Sequence, residues 1–157
     1  MATEPTSSTI RQAPGSGTTL CGTTDLPVSP TEPPATQLFV GGTSAVPRAR
    51  TFVSQTLRGW GITERTDDVL LCTTELAANA CLHTEPNTGE FLVRVVLHHS
   101  TLRVEVHDRD PHRPHVTPKG GEGVTGRGLL LVQRIADRCG TDPKPFNGKA
   151  VWADFAV

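Results

Sequence analysis

The sequence lacks the long apolar run that a membrane-spanning helix needs. No stretch reaches the roughly 18 consecutive apolar residues required to cross a bilayer. The first residues do not combine a basic start with an apolar stretch, so we expect no secretory signal and a cytoplasmic protein. The formal net charge of −1 gives no electrostatic reason to expect nucleic-acid or membrane binding as the main role.

Cysteine is scarce, and the few cysteines do not form a recognisable pattern. Cys21, Cys72, Cys81 and Cys139 are scattered and include no Cys-x-x-Cys pair. We therefore expect reduced thiols that act as small buried hydrophobic side chains, rather than disulfides or a metal site.

Composition divides the chain into a tail and one domain. Residues 1–36 are rich in Thr, Ser, Pro and Gly and contain almost no periodic apolar residues. Such a segment cannot bury enough surface to offset the entropy cost of ordering it, so we expect a disordered tail. Residues 37–157 are long enough for one domain with its own core.

The first half of this domain predicts one strand and two helices. Residues 38–40 have the composition of a short strand that ends at glycines. A helical stripe of apolar side chains runs from 46 to 60, with Ser44 as its predicted cap. A second helix is expected to start near Thr66 and to end before Pro86.

The second half predicts a hairpin, a long loop, a helix and a final strand. Apolar residues alternate over 91–97 and 102–106, which indicates two antiparallel strands. The segment 107–125 is rich in proline and glycine, and a loop of that length is usually functional or mobile. A third helix is predicted over 128–138 and a last strand over 148–157. This order favours an α+β two-layer sandwich, a mostly antiparallel sheet with helices on one face.

The predicted second helix carries a row of polar side chains. Glu75, Asn79 and His83 recur every four residues, a spacing that places them on one side of an α-helix. An amide such as that of Asn79 can ligate a hard cation such as Mg²⁺, and a carboxylate such as that of Glu75 can accept a proton. The alternative is that this row is only the solvated face of an amphipathic helix.

Two later features fit a nucleotide. Asp108 follows a strand, where its carboxylate can accept a hydrogen bond from an amine such as the N6 group of adenine. Gly126, Arg127 and Gly128 open a helix, where bare amides and the helix dipole favour a phosphate and the arginine adds a charged donor. Together with the helix face, these residues predict a site for ATP and Mg²⁺.

Three segments together resemble a known family. They are residues 75–83 (ELAANACLH), 106–114 (VHDRDPHRP) and 126–132 (GRGLLLV). The chain is similar over residues 37–157 to the small bacterial anti-sigma-factor serine kinases and their actinobacterial relatives. These kinases belong to the ATPase superfamily of gyrase B and the sensor histidine kinases, so the resemblance implies the histidine-kinase-like ATPase fold.

The resemblance also implies a role for each residue of the predicted site. Asn79 would hold Mg²⁺ against the phosphates, and Glu75 would be the general base for a substrate serine. Asp108 would bind the adenine amine, the Gly-Arg-Gly segment would meet the phosphates, and residues 109–125 would be a lid. The implied protein captures a sigma factor, phosphorylates a serine on an antagonist protein, and forms a homodimer. His83 receives no chemical role.

Two departures from the family pattern support a rival interpretation. Asp110 stands where the family normally has glycine, and Lys149 and Ala150 stand near the position of a threonine that supports the contact between adenine and aspartate. Both departures favour a catalytically weak or inactive module, in which nucleotide merely shapes a protein-binding surface.

Two further alternatives are weaker. His107, Asp108, Asp110, His112 and His115 are zinc-type ligands, but a proline-rich loop does not supply the fixed tetrahedral spacing that zinc requires. The ATPase half of a histidine kinase is disfavoured because no histidine-bearing dimerisation helices precede the predicted domain in this sequence.

Overall fold

A computed structural model describes residues 30–82, 89–109, 125–145 and 148–157. Within these ranges the chain forms a five-stranded sheet and three α-helices. The strands are β1 (Ala35–Val40), β2 (Glu90–His98), β3 (Thr101–Asp108), β4 (Arg138–Lys144) and β5 (Gly148–Ala156). The helices are α1 (Ala45–Gly59), α2 (Thr66–Leu82) and α3 (Thr125–Ile135). No helix in these ranges is long and apolar enough to cross a membrane.

The sheet has the strand order β1-β2-β3-β5-β4, and every neighbouring pair is antiparallel. The predicted hairpin is confirmed as β2 and β3. The pairing of the central strand β3 with β5 places Asp108 opposite Lys149 at one end and Arg103 opposite Asp154 near the other. This arrangement confirms the predicted α+β two-layer sandwich.

The core lies between the helices and one face of the sheet. Because side chains alternate across a strand, every second residue of β2, β3 and β5 points to the same face. That inner face packs on the apolar sides of the helices and includes Val93, Val95, Val104, Val106, Val151, Ala153 and Phe155. The helices contribute Ala49, Val53, Leu57, Val69, Cys72, Leu76 and Leu129 to the same cluster.

The opposite face of the sheet buries a polar cluster. The Arg103 guanidinium donates to both carboxylate oxygens of Asp154, at 2.6 and 2.8 Å. It also lies 4.0 Å from the centre of the Trp152 ring, close enough for a cation–π contact. Both partners of this ion pair are 3% exposed, so β3 and β5 are tied together by a nearly water-free charge pair.

The cysteines of the described ranges are wholly or partly buried, as expected for small hydrophobic side chains. Cys72 and Cys81 are buried and Cys139 is partly buried. Burial raises the pKa of the Cys72 thiol to about 12. Cys21 lies outside the described residues.

The third helix and the strand after it differ from the prediction. The sequence predicts a helix over 128–138, but α3 spans Thr125–Ile135 and Arg138 begins β4. The prediction missed β4 because its sequence contains glycine and proline and no alternation of apolar residues. An edge strand tolerates such a sequence because it pairs on one side only, here with β5.

The ordered domain begins earlier than the predicted boundary after residue 36. β1 starts at Ala35, and the chain is already bonded to the sheet at Thr31. The Thr31 amide donates to the Leu97 carbonyl at 2.8 Å, and the Thr31 hydroxyl accepts from the His99 amide at 2.6 Å. The prediction of a disordered tail was therefore wrong for residues 31–36, and residues 1–29 lie outside the described part of the chain.

The start of α1 is also corrected. Ser44 makes no capping hydrogen bond to the helix. Its hydroxyl instead donates to the Gly41 carbonyl at 2.7 Å and closes the short 3₁₀ turn Gly42–Ser44. The α-helix begins directly after this turn, at Ala45, whereas α2 begins at Thr66 as predicted.

Candidate functional site

Asn79 occupies an enclosed position on α2. It is 6% exposed, and its Nδ2 atom has no hydrogen-bond partner within the described ranges. A buried donor that is left unsatisfied costs about 1–3 kcal/mol, so native structures normally pair such groups. The alternative of a solvated helix face is therefore wrong at this residue, and the Asn79 amide is suited to meet a ligand.

Glu75, one turn earlier on α2, lies against the first turn of α3. A side-chain carbon built at Gly128 would collide with the Glu75 carboxylate. Glycine at this position therefore leaves room for the carboxylate beside the helix start. Two residues that are 53 positions apart in the sequence meet here because α2 packs on α3. His83 lies outside the described residues.

Gly126, Arg127 and Gly128 lie inside the first turn of α3, which starts at Thr125. The first four amides of an α-helix have no partner within the helix, and the dipole makes this end attractive to an anion. The Arg127 side chain is exposed. The first turn of α3 thus combines the features of a phosphate-binding helix N-terminus.

Asp108, the last residue of β3, is paired with a lysine. The Lys149 Nζ atom lies 3.0 Å from the Asp108 Oδ1 atom. The side chains are only 2% and 1% exposed, respectively. In the sequence, Lys149 stands out only as a departure from the family pattern. The ion pair could not be predicted because it depends on the strand register that places the two residues opposite each other.

Gly148 allows the two strands to approach at this end of the sheet. A side-chain carbon at Gly148 would lie 2.7 Å from the Asp108 carbonyl oxygen, closer than such atoms can pack. The absence of a side chain at Gly148 therefore permits the close approach of β5 to the end of β3, next to the pair of Lys149 and Asp108.

The two candidate zinc ligands within the described ranges, His107 and Asp108, do not converge on one site. His107 and Asp108 are adjacent in β3 and point to opposite faces of the sheet. The His107 Nε2 atom lies 2.8 Å from a Glu105 carboxylate oxygen on the outer face. No group of three His, Cys, Asp or Glu residues in the described ranges is arranged to hold a metal ion. The remaining predicted ligands, Asp110, His112 and His115, lie outside these ranges.

Glu105 belongs to this outer-face network. Burial alone favours its neutral acid form, but the hydrogen bond with His107 and the charges of Arg94 and Lys144 outweigh it. The net effect holds the pKa of the Glu105 carboxyl below its ordinary value. The Glu105 carboxylate is therefore held in its charged form by its neighbours on the outer face. These groups lie on the opposite side of the sheet from the candidate site.

Of the predicted lid over 109–125, the structure describes only the two ends. Arg109 forms an ion pair with Glu90 at the beginning of β2. Thr125 begins α3, and residues 110–124, including Asp110, lie outside the described ranges.

The exposed arginine in the first turn of α3, the buried amide on α2 and the buried carboxylate at the end of β3 are features that a nucleotide-binding α+β domain can use. The model of the histidine kinase-like ATPase domain family matches residues 42–154 of this chain. The chain therefore belongs to that family, and membership indicates ATP binding. No curated protein matches the sequence.

The described residues fit the nucleotide and cation that the family implies. The Asn79 side chain is buried on the helix that also positions Glu75; its Nδ2 donor has no partner in the described ranges, and its Oδ1 atom is the one that could ligate a cation. The first turn of α3 offers amides for an anion, and Asp108 offers a carboxylate on the inner face of the sheet. An amide and water are acceptable ligands for Mg²⁺, which usually needs few protein ligands when phosphates supply the rest.

Proposed function

We propose that this protein binds ATP with Mg²⁺ and transfers the γ-phosphoryl group to a serine of an antagonist protein. The observation that carries the proposal is the position of Glu75. Its carboxylate lies beside the first turn of α3, and the buried Asn79 amide lies one helical turn further along α2. Two packed helices thus carry the residues proposed as the base, the cation ligand and the phosphate-binding helix start.

Each residue would perform one part of the reaction. Asn79 would ligate Mg²⁺, which supplies charge neutralisation on the phosphates when bound. The amides of the first turn of α3 and the Arg127 guanidinium would hold phosphate oxygens. Asp108 would accept a hydrogen bond from the adenine amine. Glu75 would take the proton of the serine hydroxyl while the serine oxygen bonds to the γ-phosphorus and ADP leaves.

Partner binding belongs to the same proposal. We propose that the domain binds a sigma factor, is regulated through the antagonist that it phosphorylates, and works as a homodimer. The support is the similarity to anti-sigma-factor kinases in the three motifs that contain the predicted site residues. Binding to purified sigma factors and analytical ultracentrifugation of the full chain test these partners.

The decisive experiment compares two variants that should fail differently. Glu75→Gln should keep most of the ATP affinity and lose about 10²–10⁴ in the rate of phosphoryl transfer, as expected when a general base is removed. Asn79→Ala should lose both the Mg²⁺-dependent part of the affinity and the transfer. Calorimetry and single-turnover phosphorylation of candidate antagonists measure the two effects.

Two matched controls define the background. Glu64→Gln removes an exposed carboxylate just before α2, and Gln55→Ala removes an exposed amide on α1. Both should behave like the wild type. If Glu75→Gln and Asn79→Ala also behave like the wild type in both assays, the proposed site is wrong.

The second candidate is a nucleotide-dependent binding module without transfer. The ion pair with Lys149 favours it, because Asp108 already has a partner that the adenine amine must displace or share. A wild-type protein that binds ATP but phosphorylates none of the antagonist candidates from its own genome would establish this function instead.

A further inference from the structure

The outer face of the sheet is more deeply buried than the described elements explain. All three helices pack on the inner face, in the core cluster that contains Val151 and Ala153 of β5. Trp152 lies between these two residues, so its indole is on the outer face, and it is only 1% exposed. A tryptophan on an uncovered sheet face would leave much of its large ring in water. The burial of Trp152 therefore indicates a cover that the described helices do not supply.

The neighbours of this indole are buried in the same way. Arg103 of β3 and Asp154 of β5 are each 2% exposed, and Val96 of β2 is 5% exposed. All three alternate with inner-face residues and thus lie on the outer face. By contrast, Leu38 on the outer face of the edge strand β1 is 55% exposed. The covered area therefore spans β2, β3 and β5 and does not extend to Leu38.

The covered area also contains a donor that needs an acceptor. The Nε1 atom of Trp152 has no hydrogen-bond partner in the described part of the chain. Buried donors in native structures normally have an acceptor. A suitable cover therefore combines apolar side chains for the indole ring with an oxygen for its N–H group.

The N-terminal segment enters the described structure beside this area. The Thr31 amide donates to the Leu97 carbonyl, and the Thr31 hydroxyl accepts from the His99 amide, next to the turn between β2 and β3. The pair of Arg103 and Asp154 lies toward the same end of the sheet. Residues 1–29 therefore join the domain close to the covered area.

The other stretches outside the described ranges adjoin the opposite end of the sheet. One leads into the start of β2, one follows the end of β3, and one precedes the start of β5, and the strand pairing places these three points together. These stretches are residues 83–88, 110–124 and 146–147. Position therefore favours the N-terminal segment as the cover.

The length and composition of this segment fit the covered area. An extended chain advances about 3.3 Å per residue and neighbouring strands lie about 4.8 Å apart, so ten residues are long enough to cross three strands. Residues 20–29 (LCGTTDLPVS) contain Leu20, Leu26 and Val28, whereas residues 1–19 contain Ile10 as their one Val, Leu or Ile. Pro27 favours an extended backbone at the residue before it, and backbone carbonyls of an extended segment can accept from an indole N–H.

We propose that the outer face of the sheet is a docking surface for residues 20–29 of the same chain. Leu26 and Val28 contact the Trp152 ring, and a backbone carbonyl of the segment accepts from the Trp152 Nε1 atom. The docked segment excludes water from the pair of Arg103 and Asp154. The inference does not depend on the proposed nucleotide site, which lies on the other face of the sheet, and it restricts the expected disorder to residues 1–19.

The first test measures the surroundings of Trp152 in the full chain. Trp60→Phe leaves Trp152 as the only tryptophan, so its emission wavelength and its quenching by acrylamide report its access to water. In this background, the double change Leu26→Asp and Val28→Asp should shift the emission to longer wavelength and increase the quenching. The reason is that a carboxylate is not stable against a buried indole ring.

The control for this test is Ile10→Asp in the same background. It places the same charge on an aliphatic position of the N-terminal segment outside residues 20–29, and it should change neither the emission nor the quenching. If the double variant also leaves both unchanged, the proposal is wrong.

A second measurement needs no substitution in the segment. Hydrogen exchange of the wild-type full chain should be slower in residues 20–29 than in residues 2–10, because a docked segment opens less often than a free one. Equal exchange in the two stretches overturns the proposal, and this comparison decides if the double variant does not fold. Quenching of Trp152 that increases on dilution of the protein also overturns it, since a second copy then covers the face.

Discussion

Two buried ion pairs join β3 to β5, one on each face of the sheet, and they are built differently. On the outer face, the Arg103 guanidinium donates two hydrogen bonds to the Asp154 carboxylate and stacks on the Trp152 ring. On the inner face, Lys149 meets Asp108 through a contact of 3.0 Å at the end of the strands. Both pairs are almost entirely removed from water.

The difference follows from the chemistry of the two cations. A planar guanidinium binds a carboxylate through two parallel hydrogen bonds. This rigid geometry is suited to a permanent contact between strands. An ammonium is a compact point charge on a flexible stem, which can shift its donors toward a ligand. Both pairs are therefore expected to stabilise the contact between β3 and β5, and because the inner pair lies in the proposed nucleotide site, its substitution should also change binding.

The largest expected effect comes from breaking the outer pair. Asp154→Ala leaves the Arg103 charge buried without its partner, which should lower the free energy of unfolding by about 3–5 kcal/mol. Chemical denaturation of the full chain measures the loss. The control Asp142→Ala removes a less buried aspartate of β4 and should cost far less. Nearly equal losses in the free energy of unfolding of the two variants would show that the outer pair does not stabilise the fold.

The matching change on the inner face should lower ATP affinity as well as stability, since it also removes the carboxylate beside the buried Lys149 ammonium. Asp108→Ala removes the acceptor for the adenine amine in a site with little access to water, which should weaken ATP binding by about 5- to 150-fold. Calorimetry on folded protein gives the value. Asp154→Ala, compared at equal folded fraction, should leave the affinity unchanged. If the wild type and Asp108→Ala bind ATP with equal affinity, Asp108 does not contact the adenine.

The smallest expected effect is a pH dependence on the outer face. Because the folded protein holds the pKa of Glu105 below its ordinary value of 4.5, the charged carboxylate stabilises the fold above that pH. This contribution should be lost as the pH falls through the lower pKa of the folded state. Between neutral and acidic pH, the free energy of unfolding should fall less steeply for Glu105→Gln than for the wild type. Chemical denaturation at a series of pH values measures it.

Glu64→Gln is the control for this pH profile, because Glu64 is exposed. Its curve should follow that of the wild type. If Glu105→Gln also follows the wild type through the acid range, the network around Glu105 does not contribute to stability in the manner described.

The parts of the fold that could be predicted are those with a strong local pattern. The alternation in β2 and β3 and the apolar stripe of α1 follow directly from side-chain periodicity. β4 could not be predicted, because an edge strand with glycine and proline is stabilised by its pairing with β5 rather than by its own sequence.

The candidate site shows the same limit. The spacing of Glu75 and Asn79 predicts their shared helix face, and the structure places both on α2. The contact of Glu75 with Gly128 and the pairing of Asp108 with Lys149 depend on helix packing and strand register. These long-range relations are set by the whole fold, so local sequence patterns do not contain them.

The most direct test of the nucleotide site is a calorimetric titration of the wild-type full chain with ATP, once with Mg²⁺ and once with EDTA. We expect saturable binding that is clearly tighter with Mg²⁺, because in the proposed site Asn79 ligates the cation and the first turn of α3 binds the phosphates. Absence of binding at millimolar ATP, or an affinity that does not depend on Mg²⁺, would contradict it.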